Sequence, residues 1–403
     1  MAGPERTSVS EHVARVDALL APLRDRHAED VSLIRALGRV TAADVLSPID
    51  LPPFRNSQMD GFAVRAADVA TATDAAPVAL PIAREIPAAP GDPGVLEPGT
   101  AIRIMTGAPV PEGADAIVPV EDTTADTSTV SIARARTAGE YVREAGSDLA
   151  AGTVLLPAAT RLASRHIAAL AAAGLDALAV RTRVRDAVIS TGSELVRPGD
   201  DLGPGQIPDA NGPALGAAVT AAGADLVTTG RVADDTSTFA AMLDDAVAQG
   251  VELVLTSGGI SMGEHEVVRE LLEPLGAHVD VLAMQPGGPQ ALATYRGIPV
   301  VCFPGNPVSS QLSFELFVAP LLRELAGLPA PRRATLTLDA AVQSAPGRRQ
   351  FLRGRRLEGD RVATVSGPGS HLVAALAASD VIIDVPEDVV GLAADDFVET
   401  WEL

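Results

Sequence analysis

Between Arg185 and Gly327, short apolar runs alternate with longer stretches in which apolar residues return every three or four positions. The runs Ala187 to Ser190, Asp225 to Thr229, Val251 to Thr256, Val279 to Met284 and Pro299 to Phe303 predict strands. The stretches Gly212 to Ala222, Thr236 to Gln249, Glu264 to Leu275 and Pro307 to Ala326 predict helices. Alternation of this kind specifies a doubly wound, mostly parallel α/β sheet covered by helices. On either side the pattern changes. Val9 to Pro48 carries helical spacing (Val13, Val16, Leu19, Leu20) and ends in the extended, Pro-rich stretch Pro48 to Pro53, and Ala158 to Ala173 is helical again. From Phe54 to Asp148, and from Pro331 to Leu403, short β-type runs such as Ala101 to Met105 are broken by Pro and Gly. The expected organisation is a multidomain α/β protein. It comprises a discontinuous helical arm domain (8–50 with 149–180), a β-rich domain (51–148), the α/β domain (181–328) and a small C-terminal β domain (329–403).

Composition narrows the function classes. The chain has 403 residues, too many for one ordinary core. Its 52 acidic against 31 basic residues, a formal net charge of −21, speak against a nucleic-acid surface, which needs clustered Lys and Arg. An anionic small ligand must therefore be held by local donors. No apolar run is long enough to span a bilayer, so no membrane partner is expected, and Met1 to Val13 lacks the apolar stretch of a secretory signal. The single cysteine, Cys302, lies in an apolar run and reads as a buried structural thiol. A cytoplasmic location is the expectation.

In open α/β sheets ligands bind beyond the carboxyl ends of the strands, so the residues after each strand carry the chemistry. Ser257-Gly258-Gly259-Ile260-Ser261-Met262-Gly263 places three glycines between a strand and a helix, where backbone N–H groups can converge on an anion; a plain tight turn is the alternative. Pro304-Gly305-Asn306-Pro307-Val308-Ser309 is more specific. Asn306 suits an N-cap and Pro307 the first helical position, which leaves a helix N-terminus with free donors. Two anion seats on one edge suggest a ligand with more than one phosphate. Glu194, Asp234, Glu264 and Glu266 surround that edge, and carboxylates beside phosphates imply a hard cation such as Mg2+. Taken singly, Asp234 or Asp235 could equally cap the next helix. Asp60-Gly61, and the strand that runs into Thr106-Gly107-Ala108-Pro109, read as turns on physical grounds alone.

The strings NSQMDGFAVR from Asn56, RIMTGAPVPEGADAIVPVED from Arg103, EYVREAGSDLAAG from Glu140, STGSELVRPG from Ser190, GQIPDANG from Gly205, SGGISMGE from Ser257 and FPGNPVSSQLSF from Phe303 resemble, in order, the MoeA family of molybdopterin molybdenumtransferases. The resemblance covers roughly residues 8 to 400. It implies that the α/β domain is of the molybdopterin-binding type and that the protein inserts molybdate into adenylyl-molybdopterin with Mg2+ and release of AMP. It also implies a homodimer, in which one subunit's cleft faces the β domain of the other, and transient contact with a molybdopterin adenylyltransferase. Residue by residue, it carries over Asp60, Thr106, Asp148, Glu194 and Asp234 as catalytic, Glu194, Asp234 and Glu266 as Mg2+ ligands, and Arg353 and Ser370 at the cleft mouth, where a guanidinium suits an oxyanion. The chain departs from the family where KPGKP reads Gln285-Pro286-Gly287-Gly288-Pro289, without either lysine. That departure also suits a second reading: a catalytically weak paralogue that binds the cofactor or a partner protein as a scaffold, as the gephyrin E domain, which resembles this family, anchors a receptor.

Overall fold

The computed structural model describes residues 6–260 and 266–403, and the chain divides into two compact units, residues 1–28 with 181–403 and residues 29–180.

In the first unit, α1 (Val9–Leu20) is followed by β1 (Arg185–Thr191), α2 (Asn211–Ala221), β2 (Asp225–Val232), α3 (Thr236–Ala248), β3 (Leu253–Ser257), α4 (Val267–Leu272), β4 (His278–Val281), β5 (Met284–Gln285), β6 (Pro289–Tyr295), β7 (Ile298–Phe303), α5 (Pro307–Phe317) and α6 (Ala319–Leu325). The sheet order is β2-β1-β3-β7-β6-β4. β2, β1, β3 and β7 are parallel, whereas β6 runs antiparallel to both β7 and β4. Of the parallel strands, β1, β3 and β7 are buried on both faces, and their near-continuous apolar sequence follows from that, whereas the edge strand β2 is half-buried or exposed along most of its length. One apolar cluster lies on each face of the sheet. The antiparallel strand β6 was not predicted, because Gln290 and Thr294 interrupt its apolar run.

The expected arm domain is corrected at its N-terminal end. α1 packs through Val9, Val16 and Leu20 into the α/β cluster that holds Phe314 and Phe317, and His12 meets the Phe317 ring edge-on at 4.8 Å. Asp280, almost fully buried, accepts from Thr7 Oγ1 at 2.8 Å and from Arg15 Nη1 at 2.8 Å. An isolated bridge joins Thr7 to Leu282. The predicted Pro307 to Ala326 helix is divided at Val318, and Glu264 to Leu275 yields only α4 and a following 3-10 turn within the described residues.

The C-terminal strands β8 (Arg333–Leu338), β9 (Arg349–Leu357), β10 (Arg361–Thr364), β11 (Val381–Val385) and β12 (Phe397–Glu402) close on themselves through pairing of β9 with β11, around Leu336, Leu352, Val362 and Ile383. β5 joins this sheet beside β9, in register Gln285 with Gln350.

The second unit holds a six-stranded sheet (Ala116–Pro119, Gly61–Val64, Ala101–Ile104, Val78–Ile86, Thr129–Ile132, Thr123–Ala125, in spatial order) with apolar clusters around Phe62 and around Ile102. A smaller cluster gathers Val31, Leu156, Leu162, Leu170 and Val180 around the helix Ser164–Ala172. Gly61 is not a turn residue: it opens a strand, and a Cβ there would collide with the Val118 carbonyl.

Candidate active site

The carboxyl ends of β1, β2, β3 and β7 open onto a cleft of about 1030 Å³ whose other wall comes from the Leu282–Pro289 segment and from the C-terminal residues Arg348 and 368–371. Lining it are Glu194, Asp234, Gly258, Gly259, Glu266, Pro304, Gly305, Asn306, Pro307, Ser309 and Ser370, all expected at the site. Ser257 sits buried directly beneath, as the last residue of β3. Ser261 and Gly263, also expected to hold the ligand, lie outside the described residues, as does Glu264.

The glycines are demanded by geometry. Gly258 and Gly259 have φ of +94° and +69°, in the left-handed region that favours glycine, and a Cβ on Gly258 would stand 2.5 Å from the Thr191 carbonyl oxygen. Gly305 lies against the Gly258 backbone, and a Cβ on it would stand 3.5 Å from the Gly258 Cα, an ordinary van der Waals contact. The two loops therefore lie side by side. Asn306 is the extended N-cap of α5, but its side chain makes no capping bond. The N–H groups of Gly259, Gly305 and Asn306 donate to no other described residue, whereas that of Val308 is engaged by the Ser370 carbonyl at 3.2 Å. Such a helix N-terminus has donors to offer an anion.

The two adjacent acids after β2 sort themselves. Asp235 is the N-cap of α3: its Oδ2 accepts from the Thr238 hydroxyl, from Ser237 Oγ at 2.8 Å and from Thr238 N at 2.9 Å, and these bonds hold its pKa down to about 2. Asp234 turns instead to the β1 loop, where its Oδ2 accepts from Ser193 N at 3.1 Å and Ser193 Oγ accepts from Asp234 N at 3.1 Å. Glu194 is exposed and folds back so that a Cβ on Gly192 would meet its carboxylate at 2.6 Å. The expected cage of Glu194, Asp234 and Glu266 is corrected: among the described residues no group of three His, Cys, Asp or Glu side chains stands close enough to hold a metal.

Arg353 is also corrected. It is 1% exposed and does not line the cleft; its Nη2 donates to the Gly367 carbonyl, and burial lowers its pKa. Its backbone carbonyl takes Val365 N at 2.8 Å, so Arg353 shapes the loop that carries Ser370. The cations that do line the cleft are Arg6 and Arg348, which lie with Gln285 and Gly288 around it. Neither was singled out in the sequence, where lone arginines carry no spacing signal. Cys302 is buried in β7, which pushes its thiol up to about 12, and it takes no part in the site.

In the second unit, Asp60 Oδ1 accepts from Thr106 N at 2.7 Å and from Thr106 Oγ1 at 2.8 Å, bonds that hold its carboxyl below the usual range. Asp148 is exposed and outside that pair; its N donates to the Leu51 carbonyl at 2.9 Å.

Residues 7–174 match the MoeA N-terminal region (domain I and II), residues 187–324 a probable molybdopterin binding domain, and residues 335–403 the MoeA C-terminal region (domain IV). A protein named molybdopterin molybdenumtransferase 2, from Mycobacterium tuberculosis (strain ATCC 25618 / H37Rv), is 43% identical over 98% of this chain and 99% of its own. The chain belongs to the MoeA family. A molybdopterin molybdenumtransferase from Nostoc sp. is 40% identical over 74% of this chain and 70% of its own. Two crystal structures of molybdopterin biosynthesis MoeA proteins from Pyrococcus horikoshii superpose with TM-scores of 0.84 and 0.76, at 33% and 26% identity, and each covers 99% of this chain and 99% or more of its own. The MoeA assignment fits the fold already described, in which the α/β domain carries the cleft. No described helix is long and apolar enough to cross a membrane.

Proposed function

We propose that this MoeA-family chain acts in molybdenum cofactor biosynthesis as a transferase that inserts molybdate into adenylyl-molybdopterin and releases AMP. The observation that carries the reading is the pair of glycine-bearing loops, 257–260 and 304–309, lying side by side on the carboxyl edge with the N–H groups of Gly259, Gly305 and Asn306 engaged by no other described residue and with Glu194 and Asp234 around the same cleft. Adjacent donor sets fit two linked phosphates, and a low-dielectric cleft strengthens each such contact. Arg6 and Arg348 supply cationic charge to the cleft although Gln285 and Gly288 supply none. That favours the enzyme over the scaffold reading.

Mg2+ fits the donor set in a restricted way. It is commonly held by one or two carboxylates together with substrate phosphates and water, and Glu194 and Asp234 are hard oxygen donors in the cleft. When bound it would neutralise phosphate charge. The chain's own part is to hold the phosphates by backbone donors, to keep Asp234 oriented through Ser193, and to present Glu194 on the open side.

We further propose a homodimer in which the Asn56 to Arg65 segment of one subunit, with Asp60 held by Thr106, completes the cleft of the other, and a transient contact with a molybdopterin adenylyltransferase. The support is the family resemblance of that segment. Light scattering at micromolar concentration tests it, and a fully active monomer refutes it. The function is tested by complementation of a strain lacking its own transferase, scored by the activity of a molybdoenzyme; failure of a well-expressed, folded protein to restore it counts against the reading.

A further inference from the structure

The string GQIPDANG was singled out in the sequence but given no role, and its residues lie at the junction of three cleft loops. Ile207 N donates to the Glu194 carbonyl at 2.9 Å and Asp209 N to the Val196 carbonyl at 2.8 Å, which ties the segment to the loop after β1. Asp209 Oδ1 takes the N–H groups of Asn211 and Gly212, each at 3.0 Å, and Ser190 Oγ at 3.1 Å. It thereby caps α2 and places Asn211. The Asn211 amide then reaches both anion-seating loops from one nitrogen: Nδ2 donates to Ser257 Oγ at 2.6 Å and to the Gly305 carbonyl at 2.7 Å.

Two features argue that this amide serves something besides stability. Asn211 is only 6% exposed, and its Oδ1 is buried with no hydrogen-bond partner among the described residues. An unmet buried acceptor is unfavourable, and native proteins keep few of them. Beyond this amide, the lateral hydrogen bonds between the loops among the described residues are Ser257 Oγ to the Pro304 carbonyl at 3.4 Å, a long bond, and Gly258 N to the Phe303 carbonyl at 3.0 Å, which only continues the strand ladder. Past the end of that ladder, where Ser257 pairs with Phe303, Asn211 is the side chain among the described residues that bonds both loops.

We infer that Asn211 is a positioning residue that sets the distance between the 257–260 and 304–309 loops, and so matches the cleft to two linked phosphates rather than to one. This rests on the function proposed above. A single phosphate needs one loop only, and its binding is indifferent to the spacing. A diphosphate engages both at once, as a bivalent ligand does, and loses its advantage when the spacing changes.

The test is calorimetry with inorganic phosphate and with pyrophosphate, on the full-length wild type and on Asn211→Ala, alongside thermal unfolding of each. Wild type is expected to bind pyrophosphate more tightly than phosphate. In Asn211→Ala the pyrophosphate affinity should fall about tenfold or more while the phosphate affinity stays within about twofold. If Asn211→Ala does not fold, Asn211→Ser and Ser257→Ala each remove part of the link and are judged by the same ratio. A ratio that stays at the wild-type value in every folded variant, whether or not the unfolding temperature drops, overturns the inference. A wild type that binds neither anion overturns the two-seat reading of the cleft as well, an outcome distinct from the loss of preference in the variants.

Discussion

Gly258 and Gly276 form a matched pair with which the geometry of the cleft can be tested. Their φ angles are +94° and +92°, so replacement by alanine forces the same unfavourable backbone on an L-residue at both, at about 1–2 kcal/mol. Their surroundings differ. A Cβ on Gly276 meets nothing within 4 Å, whereas one on Gly258 falls 2.5 Å from the Thr191 carbonyl oxygen and 2.8 Å from Thr191 Oγ1. No rotamer change relieves a clash with backbone, so the loop must move away from β1, with a further cost of about 1–3 kcal/mol of the overpacking kind. Gly276→Ala should therefore lower the unfolding temperature of the α/β unit by a few degrees, and Gly258→Ala by roughly twice as much, at about 2–4 °C per kcal/mol for a unit of this size. Ligand binding separates them further. Displacement of the 257–260 loop should weaken pyrophosphate binding at least about tenfold, ~1.4 kcal/mol, while Gly276→Ala leaves it unchanged. Differential scanning calorimetry and isothermal titration on the two variants decide the matter. Equal losses of stability together with wild-type affinity in both would refute the claim that the closeness of Gly258 to Thr191 shapes an anion seat.

Three further outcomes are expected. Glu194→Gln and Asp234→Asn should each lower turnover about a hundredfold, a loss of ~3 kcal/mol of charge stabilisation, with the fold intact by circular dichroism; activity within about twofold of wild type would reduce both to surface carboxylates. Gly288 has room for a side chain, since the nearest atom to a Cβ there is the Leu282 carbonyl oxygen at 3.6 Å; Gly288→Lys should lower the half-saturating molybdate concentration about tenfold, ~1.4 kcal/mol, and an unchanged value would mean that Arg6 and Arg348 already supply the charge. Asp186, fully buried in β1, has its pKa pushed well above the usual carboxylate range by desolvation; since the unfolded chain releases that proton near pH 4 and the folded chain does not, its contribution to stability is present below pH 4 and is lost as pH rises through the folded value. Asp186→Asn should therefore gain stability over wild type at pH 8 relative to pH 5, and a difference in unfolding temperature independent of pH would contradict this.

The parallel core was legible because strands buried on both faces must be continuous apolar runs, and Ala187, Val188 and Ile189 are an example. β6 was not: Gln290 is buried and bonds through Nε2 to Gly287 O at 2.9 Å and Ser313 Oγ at 2.6 Å, a polar residue whose amide nitrogen finds partners that the local pattern does not reveal. The conformation of the two cleft loops could be read from glycine and proline positions, because φ is a local property. Roles fixed by distant partners escaped. Arg353 was expected at the cleft but is turned under the Gly367 carbonyl, and Asn211 gains its place only when Ser257 and Gly305 arrive on either side of it. Asp234 and Asp235 are alike in sequence, and only the Ser193 loop distinguishes them.

The central claim is most directly tested by incubating the purified protein with adenylyl-molybdopterin, Mg2+ and molybdate at constant ionic strength, and measuring AMP by chromatography as molybdate is varied. The account predicts AMP release that rises to saturation with molybdate, in step with the appearance of molybdenum-loaded cofactor competent to activate an apo-molybdoenzyme. A folded protein that binds adenylyl-molybdopterin but releases no AMP at any molybdate concentration would contradict it.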